Sequence, residues 1–173
     1  MIHWGFIGCG NVTEKKSGPA FRKVDGSDVV AVMRRDAELA KDYAVRHNIG
    51  KWYSDAHALI NDPAVNAVYV ATPPGSHAEY AVEAMKAGKP VYVEKPMAAS
   101  FEECVAMAEV AKETGVPCFV AYYRRTLPYF LRIRQLLENG EIGEISEVKI
   151  RFVVPPYPVD LSRETLPWRV KKE

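Results

Sequence analysis

The stretch Ile2-His3-Trp4-Gly5-Phe6-Ile7-Gly8-Cys9-Gly10-Asn11-Val12 decides the fold. A short apolar run ends in two glycines one residue apart, and the segment after them can turn into a helix. In a strand, tight turn and helix start of this kind, glycines let the backbone bend sharply and approach a pyrophosphate, whose charge meets the free N–H groups of the helix start. Thr13 stands where the G-x-G-x-x-G fingerprint has its third glycine, so the stretch alone also fits a tight turn without a ligand. The rest of the chain separates the two.

Downstream, Lys15-Lys16-Ser17-Gly18-Pro19 breaks the expected helix before residues 20–24, and the two lysines read as a solvated loop. Asp28-Val29-Val30-Ala31-Val32-Met33 is then a continuously apolar strand, the kind buried on both faces of a parallel sheet. Arg34 and Arg35 follow it directly. At the end of this strand a dinucleotide-binding fold offers either an acid to the adenosine ribose hydroxyls or an arginine to a 2′-phosphate. Arg34 stands about where the acid would be, so the cofactor expected is NADP, with NAD as the alternative.

The pattern then repeats. Ala37, Ala40 and Ala44 recur at helical spacing over residues 36–47, Lys51-Trp52-Tyr53 reads as a short strand, and residues 54–60 as a brief capped helix in which His57 is structural. Residues 66–71 form a strand ending in Thr72-Pro73-Pro74-Gly75, where the prolines forbid further ladder pairing. Ser76 and Glu79 have the spacing of a capping box for a helix with Ala78, Ala81, Val82 and Met85 on its apolar stripe and Gly88 at its end. His77, in its first turn, reads on its own as a surface histidine. Residues 90–93 are the next strand, delivering Glu94-Lys95-Pro96. A second box, Ser100 and Glu103, opens a helix with the expected stripe Phe101, Cys104, Val105 and Ala108, closed by Gly115 before a strand over 116–122.

Such alternation means an α/β chain with a Rossmann-type, doubly wound parallel sheet and right-handed crossovers. Ligands of such sheets sit beyond the carboxyl ends of the strands. Those ends carry Gly8, Gly10, Asn11 and Val12, then Arg34 and Arg35, Thr72, Pro73 and Pro74, Glu94 and Lys95, and finally Arg125.

After Tyr122 the character changes. A helix from Pro128 carries Phe130, Ile133 and Leu137 on one face and ends at Asn139-Gly140. Val148, Ile150, Phe152 and Val154 then alternate as in a strand covered on one side, until Pro155-Pro156-Tyr157-Pro158 breaks it. Residues 1–122 are therefore expected to be the cofactor domain. Residues 123–173 are expected to be the incomplete start of a second, α+β domain with an open, largely antiparallel sheet and a polar tail from Leu161. An open edge and uncovered face would favour self-association.

Composition excludes several classes. The net charge is +1 with acidic and basic residues interleaved, which leaves no electrostatic footprint for nucleic acid or an anionic membrane. Every apolar run is broken well short of a membrane span, and the start lacks the pattern of a secretory signal. Cys9, Cys104 and Cys118 have neither metal-ligand nor redox spacing, so no metal site is expected and a cytoplasmic address is.

With these residues laid out, the chain resembles the glucose-fructose oxidoreductase and inositol dehydrogenase family (Gfo/Idh/MocA). The resemblance rests on Gly5-Phe6-Ile7-Gly8-Cys9-Gly10, on Ala71-Thr72-Pro73-Pro74 with His77, on Ala87-Gly88-Lys89-Pro90-Val91-Tyr92-Val93-Glu94-Lys95-Pro96, and on Tyr123-Arg124-Arg125 followed by Asn139-Gly140-Glu141-Ile142-Gly143. It implies an NAD- or NADP-binding Rossmann domain and a substrate and oligomer-forming domain. It also implies hydride transfer to or from a carbinol on a sugar, cyclitol or polyol, with His77 among the cofactor-site residues. Lys95 would then lie beside the nicotinamide and the reacting hydroxyl as the catalytic residue, where a cation stabilises a developing alkoxide and relays its proton.

Tyr123 stands where many members have an asparagine. Members also continue, past a Trp-Arg like Trp168-Arg169, into a segment with an Asp and a His that act with the lysine. The expectation is accordingly a truncated, cofactor-binding chain of an enzyme that is a homo-oligomer at full length. Two other readings remain: a non-catalytic dinucleotide sensor, and an S-adenosylmethionine fold, against which the basic Arg34 counts.

Overall fold

The computed structural model describes residues 1–156 and Leu161; the expectations for Tyr157, Pro158, Trp168-Arg169 and most of the polar tail lie outside the described residues. Six strands, β1 (Ile2–Ile7), β2 (Ser27–Met33), β3 (Lys51–Tyr53), β4 (Ala67–Val70), β5 (Val91–Val93) and β6 (Cys118–Val120), form one sheet in the order β3-β2-β1-β4-β5-β6. Every pairing is parallel. The order reverses direction between β1 and β4, which makes the crevice at their carboxyl ends the topological switch point.

The helices are α1 (Asn11–Lys15), α2 (Gly18–Phe21), α3 (Ala37–Arg46), α4 (Ala56–Ile60), α5 (His77–Lys86) and α6 (Phe101–Thr114). Period-2 alternation divides the strand side chains between two cores. Ile7, Met33, Val68, Val70 and Val93 pack with Leu59 and Ile60 of α4, Met85 of α5 and Met107 of α6. Phe6, Val32 and Tyr69 face the other way, onto Tyr43 and Ala44 of α3 and Phe21 of α2.

The break after the glycine turn is real: α1 has five residues and α2 four. Pro19 supplies no backbone donor, and Gly18 lies so close to α1 that an added Cβ would stand 2.0 Å from the Thr13 carbonyl oxygen. Gly18 thus serves the close packing that a third fingerprint glycine would serve, while Thr13 is fully buried and donates through Oγ1 to the Gly10 carbonyl at 2.9 Å.

Of the two capping boxes, one forms. Ser100 Oγ accepts from the Glu103 N–H at 3.2 Å, and Glu103 Oε2 reaches back to the Ala99 N–H at 2.9 Å. Ser76 does not cap α5; its hydroxyl bonds Thr72 Oγ1 at 2.8 Å, because a 3-10 turn (Pro74–Ser76) precedes the helix and directs the side chain to the strand end. The stripe expected on α6 is rotated as well. Phe101, Val105 and Ala108 are exposed, and Met107 is buried with Cys104, Val110 and Ala111 beside it, since α6 turns that side toward α5 and the sheet.

A polar clasp holds the amino-terminal ends of the strands. Asp62, with 2% of its side chain exposed, accepts from Lys51 Nζ and Tyr53 O–H, each at 2.8 Å, and from the Ala64 N–H at 2.9 Å. Burial pushes its carboxyl up, but these hydrogen bonds outweigh that and hold it at about 2, below its ordinary 3.8. A depressed folded-state value contributes stability above the unfolded value that is lost as pH falls through the folded one, so Asp62 should stabilise by about 2 kcal/mol at neutral pH. Asp62→Ala is expected to remove most of that at pH 7 and much less near pH 2, as read from denaturant midpoints; equal losses at both pH values would contradict the assignment.

The chain divides into two compact units, Met1–Tyr122 and Tyr123–Glu173. The described part of the second holds a 3-10 turn (Tyr123–Thr126) and α7 (Pro128–Glu138). The alternating segment does not form the expected strand: residues 144–156 carry no strand, and Val148, Ile150, Phe152 and Val154 are exposed. A strand requires a hydrogen-bonding neighbour, and among the described residues of this unit there is none. The antiparallel sheet is therefore absent from the described residues.

Candidate functional site

Three turns converge at the carboxyl ends of the adjacent strands β1, β4 and β5. Parallel pairing continues beyond each strand, with Gly8 N–H donating to the Met33 carbonyl at 2.9 Å, Ala71 N–H to Ile7 at 2.8 Å, and Glu94 N–H to Val70 at 2.9 Å. The turns are thus rigid extensions of the sheet.

Gly8 has a φ of 96° and packs so tightly that an added Cβ would lie 2.8 Å from Ala71 C and Thr72 N. Gly10 is different: a Cβ there would meet nothing within 4 Å. One glycine lets two strand ends meet, and the other leaves open space where a ligand backbone can approach. Asn11 and Val12 are exposed beside it. Because α1 is so short, its contribution to an anion is that of a single turn, less than the sequence pattern suggested.

Arg34, exposed at the end of β2, folds back over this turn and donates from Nη1 to the Cys9 carbonyl at 3.3 Å. It lines a cleft of about 330 Å³ with Cys9, Gly10, Asn11, Leu39 and the Glu14–Arg46 pair. Arg46 binds Glu14 through two nitrogens, at 2.6 and 3.1 Å, and holds its carboxyl below the usual range. Arg34 forms no ion pair among the described residues; neither does Arg35, exposed next to it. Burial pushes the Cys9 thiol up to about 11, so this cysteine is an inert core residue.

His77 is the largest correction to the sequence reading. It is 1% exposed, with Nδ1 at 2.9 Å from the Pro96 carbonyl and Nε2 at 2.7 Å from the Thr72 carbonyl. It ties the turn after β4 to the turn after β5. Two carbonyls from segments 24 residues apart needed a bridge that no local pattern shows.

Thr72 and Pro74 are half-buried, and Pro73 is exposed. Glu94 is half-buried, and both its oxygens are engaged: Oε1 accepts from the Tyr69 O–H at 2.7 Å and Oε2 from the Lys95 N–H at 3.1 Å. Tyr69 was missed from sequence because a tyrosine inside an apolar strand looks like any core aromatic. Lys95 is exposed, its amine makes no hydrogen bond among the described residues, and the Lys95–Pro96 peptide is cis. Arg125 is exposed on the 3-10 turn of the second unit.

No group of His, Cys, Asp or Glu among the described residues could hold a metal ion, and no described helix is long and apolar enough to cross a membrane. A dinucleotide fits what is present: room at Gly10, a basic side chain over the turn, and an unengaged amine at the end of β5.

Comparison with known proteins bears on this arrangement. Oxidoreductase P35 from Formosa agariphila is 44% identical over 99% of this chain and 54% of its own length. The scyllo-inositol 2-dehydrogenase (NAD(+)) of Bacillus subtilis is 33% identical over 83% of this chain and 42% of its own. Among solved structures, the 3-ketoreductase KijD10 from Actinomadura kijaniata, in complex with NADP and TDP-benzene, superposes with a TM-score of 0.74 at 30% identity, over 83% of this chain and 44% of that one. The chain thus spans about half the length of the relatives it matches. Residues 2–122 match the oxidoreductase family with an NAD-binding Rossmann fold (GFO_IDH_MocA), and the chain belongs to this family.

Proposed function

We propose that this chain is the cofactor-binding part of an oxidoreductase that prefers NADP and transfers hydride to or from a carbinol on a sugar, cyclitol or related polyol. The observation that carries the reading is the meeting of the Gly8–Gly10 turn, the Thr72–Pro74 turn and the exposed Lys95 at the ends of three neighbouring strands. Gly8, Gly10, Asn11 and Val12 receive the pyrophosphate. Arg34, with Arg35 beside it, faces the adenosine 2′-phosphate, and Thr72, Pro73 and Pro74 bound the dinucleotide along the switch point.

The cofactor supplies the hydride chemistry. Lys95 acts on the oxygen of the reacting carbon, stabilising negative charge and relaying its proton. Residues 123–173 begin the substrate domain, which contributes Arg125. Homo-oligomeric assembly of the whole protein and a cytoplasmic address belong to the same reading, the latter supported by three free cysteines.

Fluorescence titration of the 173-residue chain with NADPH and NADH tests the reading. Arg34→Ala is expected to weaken NADPH about 10- to 100-fold, the worth of hydrogen bonds to a charged group, while NADH affinity stays within about threefold. NADH binding tighter than NADPH in the unmodified chain would overturn the role of Arg34. Binding of neither would overturn the function.

A further inference from the structure

We propose that Tyr69, Glu94 and Ser17 form a positioning network that aims the Lys95 amine; this rests on the hydride-transfer reading and adds to it how the catalytic group is held. Lys95 itself has no side-chain hydrogen bond among the described residues, so its direction depends on how firmly its backbone is fixed.

After Lys95, Pro96 is clamped by His77. Before it, Glu94 extends back over the sheet instead of outward to solvent. Its Oε2 accepts the Lys95 N–H and its Oε1 accepts the phenol of Tyr69, whose oxygen also lies 2.8 Å from Ser17 Oγ in the break between α1 and α2.

The donors fall into one order. A carboxylate only accepts, so Tyr69 gives its single proton to Glu94, and the Ser17 hydroxyl then gives its own to the Tyr69 oxygen. Tyr69 cannot swing away. It is fully buried, with Phe21 at 4.8 Å, Phe6 at 5.1 Å and Tyr92 at 5.6 Å between ring centroids. Its phenol remains overwhelmingly protonated because burial raises its pKa far above the ordinary tyrosine value. A rigid aromatic thus holds the carboxylate that holds the Lys95 backbone, and Ser17 anchors the same line beside the cofactor turn. Glu94 accordingly acts as a positioning residue.

The measurement is steady-state turnover in the protein with its complete reading frame, beside NADPH titration and thermal midpoints of the same variants. Tyr69→Phe and Glu94→Ala are expected to lower kcat about 10- to 100-fold, the scale of a misplacement near 1 Å, with NADPH affinity within about twofold of the parent. Glu94→Gln should recover to within about threefold of the parent. Its amide oxygen can still accept from Lys95 N–H while its amide nitrogen donates to the Tyr69 oxygen, whose proton then turns to Ser17 Oγ, so every bond is kept and only the two at Tyr69 reverse.

Parental kcat in Tyr69→Phe and Glu94→Ala overturns the proposal, as does a Glu94→Gln variant no better than Glu94→Ala. Loss of kcat only in step with NADPH affinity and thermal midpoint would mean a merely structural role, and also overturns it. Two controls in the same assay separate the levels: normal turnover of Lys95→Ala removes the catalytic role of Lys95 that the network is built to aim, and a parent protein that turns over no sugar, cyclitol or polyol with either cofactor overturns the hydride-transfer reading itself.

Discussion

Replacing Lys95 by alanine is expected to abolish turnover in the protein with its complete reading frame, with kcat falling about 10³-fold or more, while NADPH affinity stays within about threefold. A thousandfold loss corresponds to about 4 kcal/mol of transition-state stabilisation, what a cation meeting a developing alkoxide can supply. The structure explains why binding and fold should survive. The amine is exposed and bonds nothing among the described residues, so truncation leaves no buried group unsatisfied.

Lys95→Arg sharpens the result. It keeps a cation at the end of β5, but a guanidinium does not deprotonate and cannot relay a proton. If the proton relay matters, arginine remains as inactive as alanine; restored turnover with arginine would leave Lys95 only an electrostatic part. Turnover unchanged in Lys95→Ala would refute the assignment altogether.

The second large effect is on the fold. Gly8→Ala is expected to destabilise the first unit by about 2–5 kcal/mol, from backbone strain at positive φ added to overpacking. The φ of 96° is a conformation L side chains rarely adopt, and the added carbon would press on the backbone atoms Ala71 C and Thr72 N at 2.8 Å. Backbone at the end of a central strand cannot yield as a side-chain tip can. Against a typical domain stability of about 5–15 kcal/mol, such a loss leaves a substantial unfolded fraction.

Gly10→Ala is the contrasting variant. Its Cβ would meet no protein atom within 4 Å and its φ of −131° suits any residue, so stability should hold to within about 1 kcal/mol while NADPH affinity falls at least about tenfold. Denaturant unfolding and NADPH titration of the two variants decide it. Gly8→Ala as stable as its parent would contradict the packing role, and undiminished NADPH binding by Gly10→Ala would remove the pyrophosphate from that turn.

Much of this was legible in the chain. Strand-and-helix alternation, with apolar runs ending in glycine, proline or charge, is a local property, and the parallel six-stranded sheet follows from it because crossover handedness leaves few arrangements. Cap residues were legible only where the following backbone was regular. Ser100 caps α6, but Ser76 was drawn away by the 3-10 turn before α5, a departure the spacing of Ser76 and Glu79 cannot reveal. The stripe of α6 was misplaced because a helix with apolar residues around much of its circumference is oriented by its neighbours.

By itself the sequence determined the Rossmann-type order of elements, the residues delivered to the strand ends, and the family resemblance that points to Lys95. Each depends on residue type and spacing along the chain, which backbone geometry converts directly into position. Tertiary structure alone decided that His77 is a buried bridge, that Gly18 takes over the close packing, and that Tyr69 reaches Glu94 across the sheet. Those are contacts between segments distant in sequence, set by how β4 and β5 lie side by side and how the helices close over them. A hydrogen bond between such segments exists only once both have been brought together.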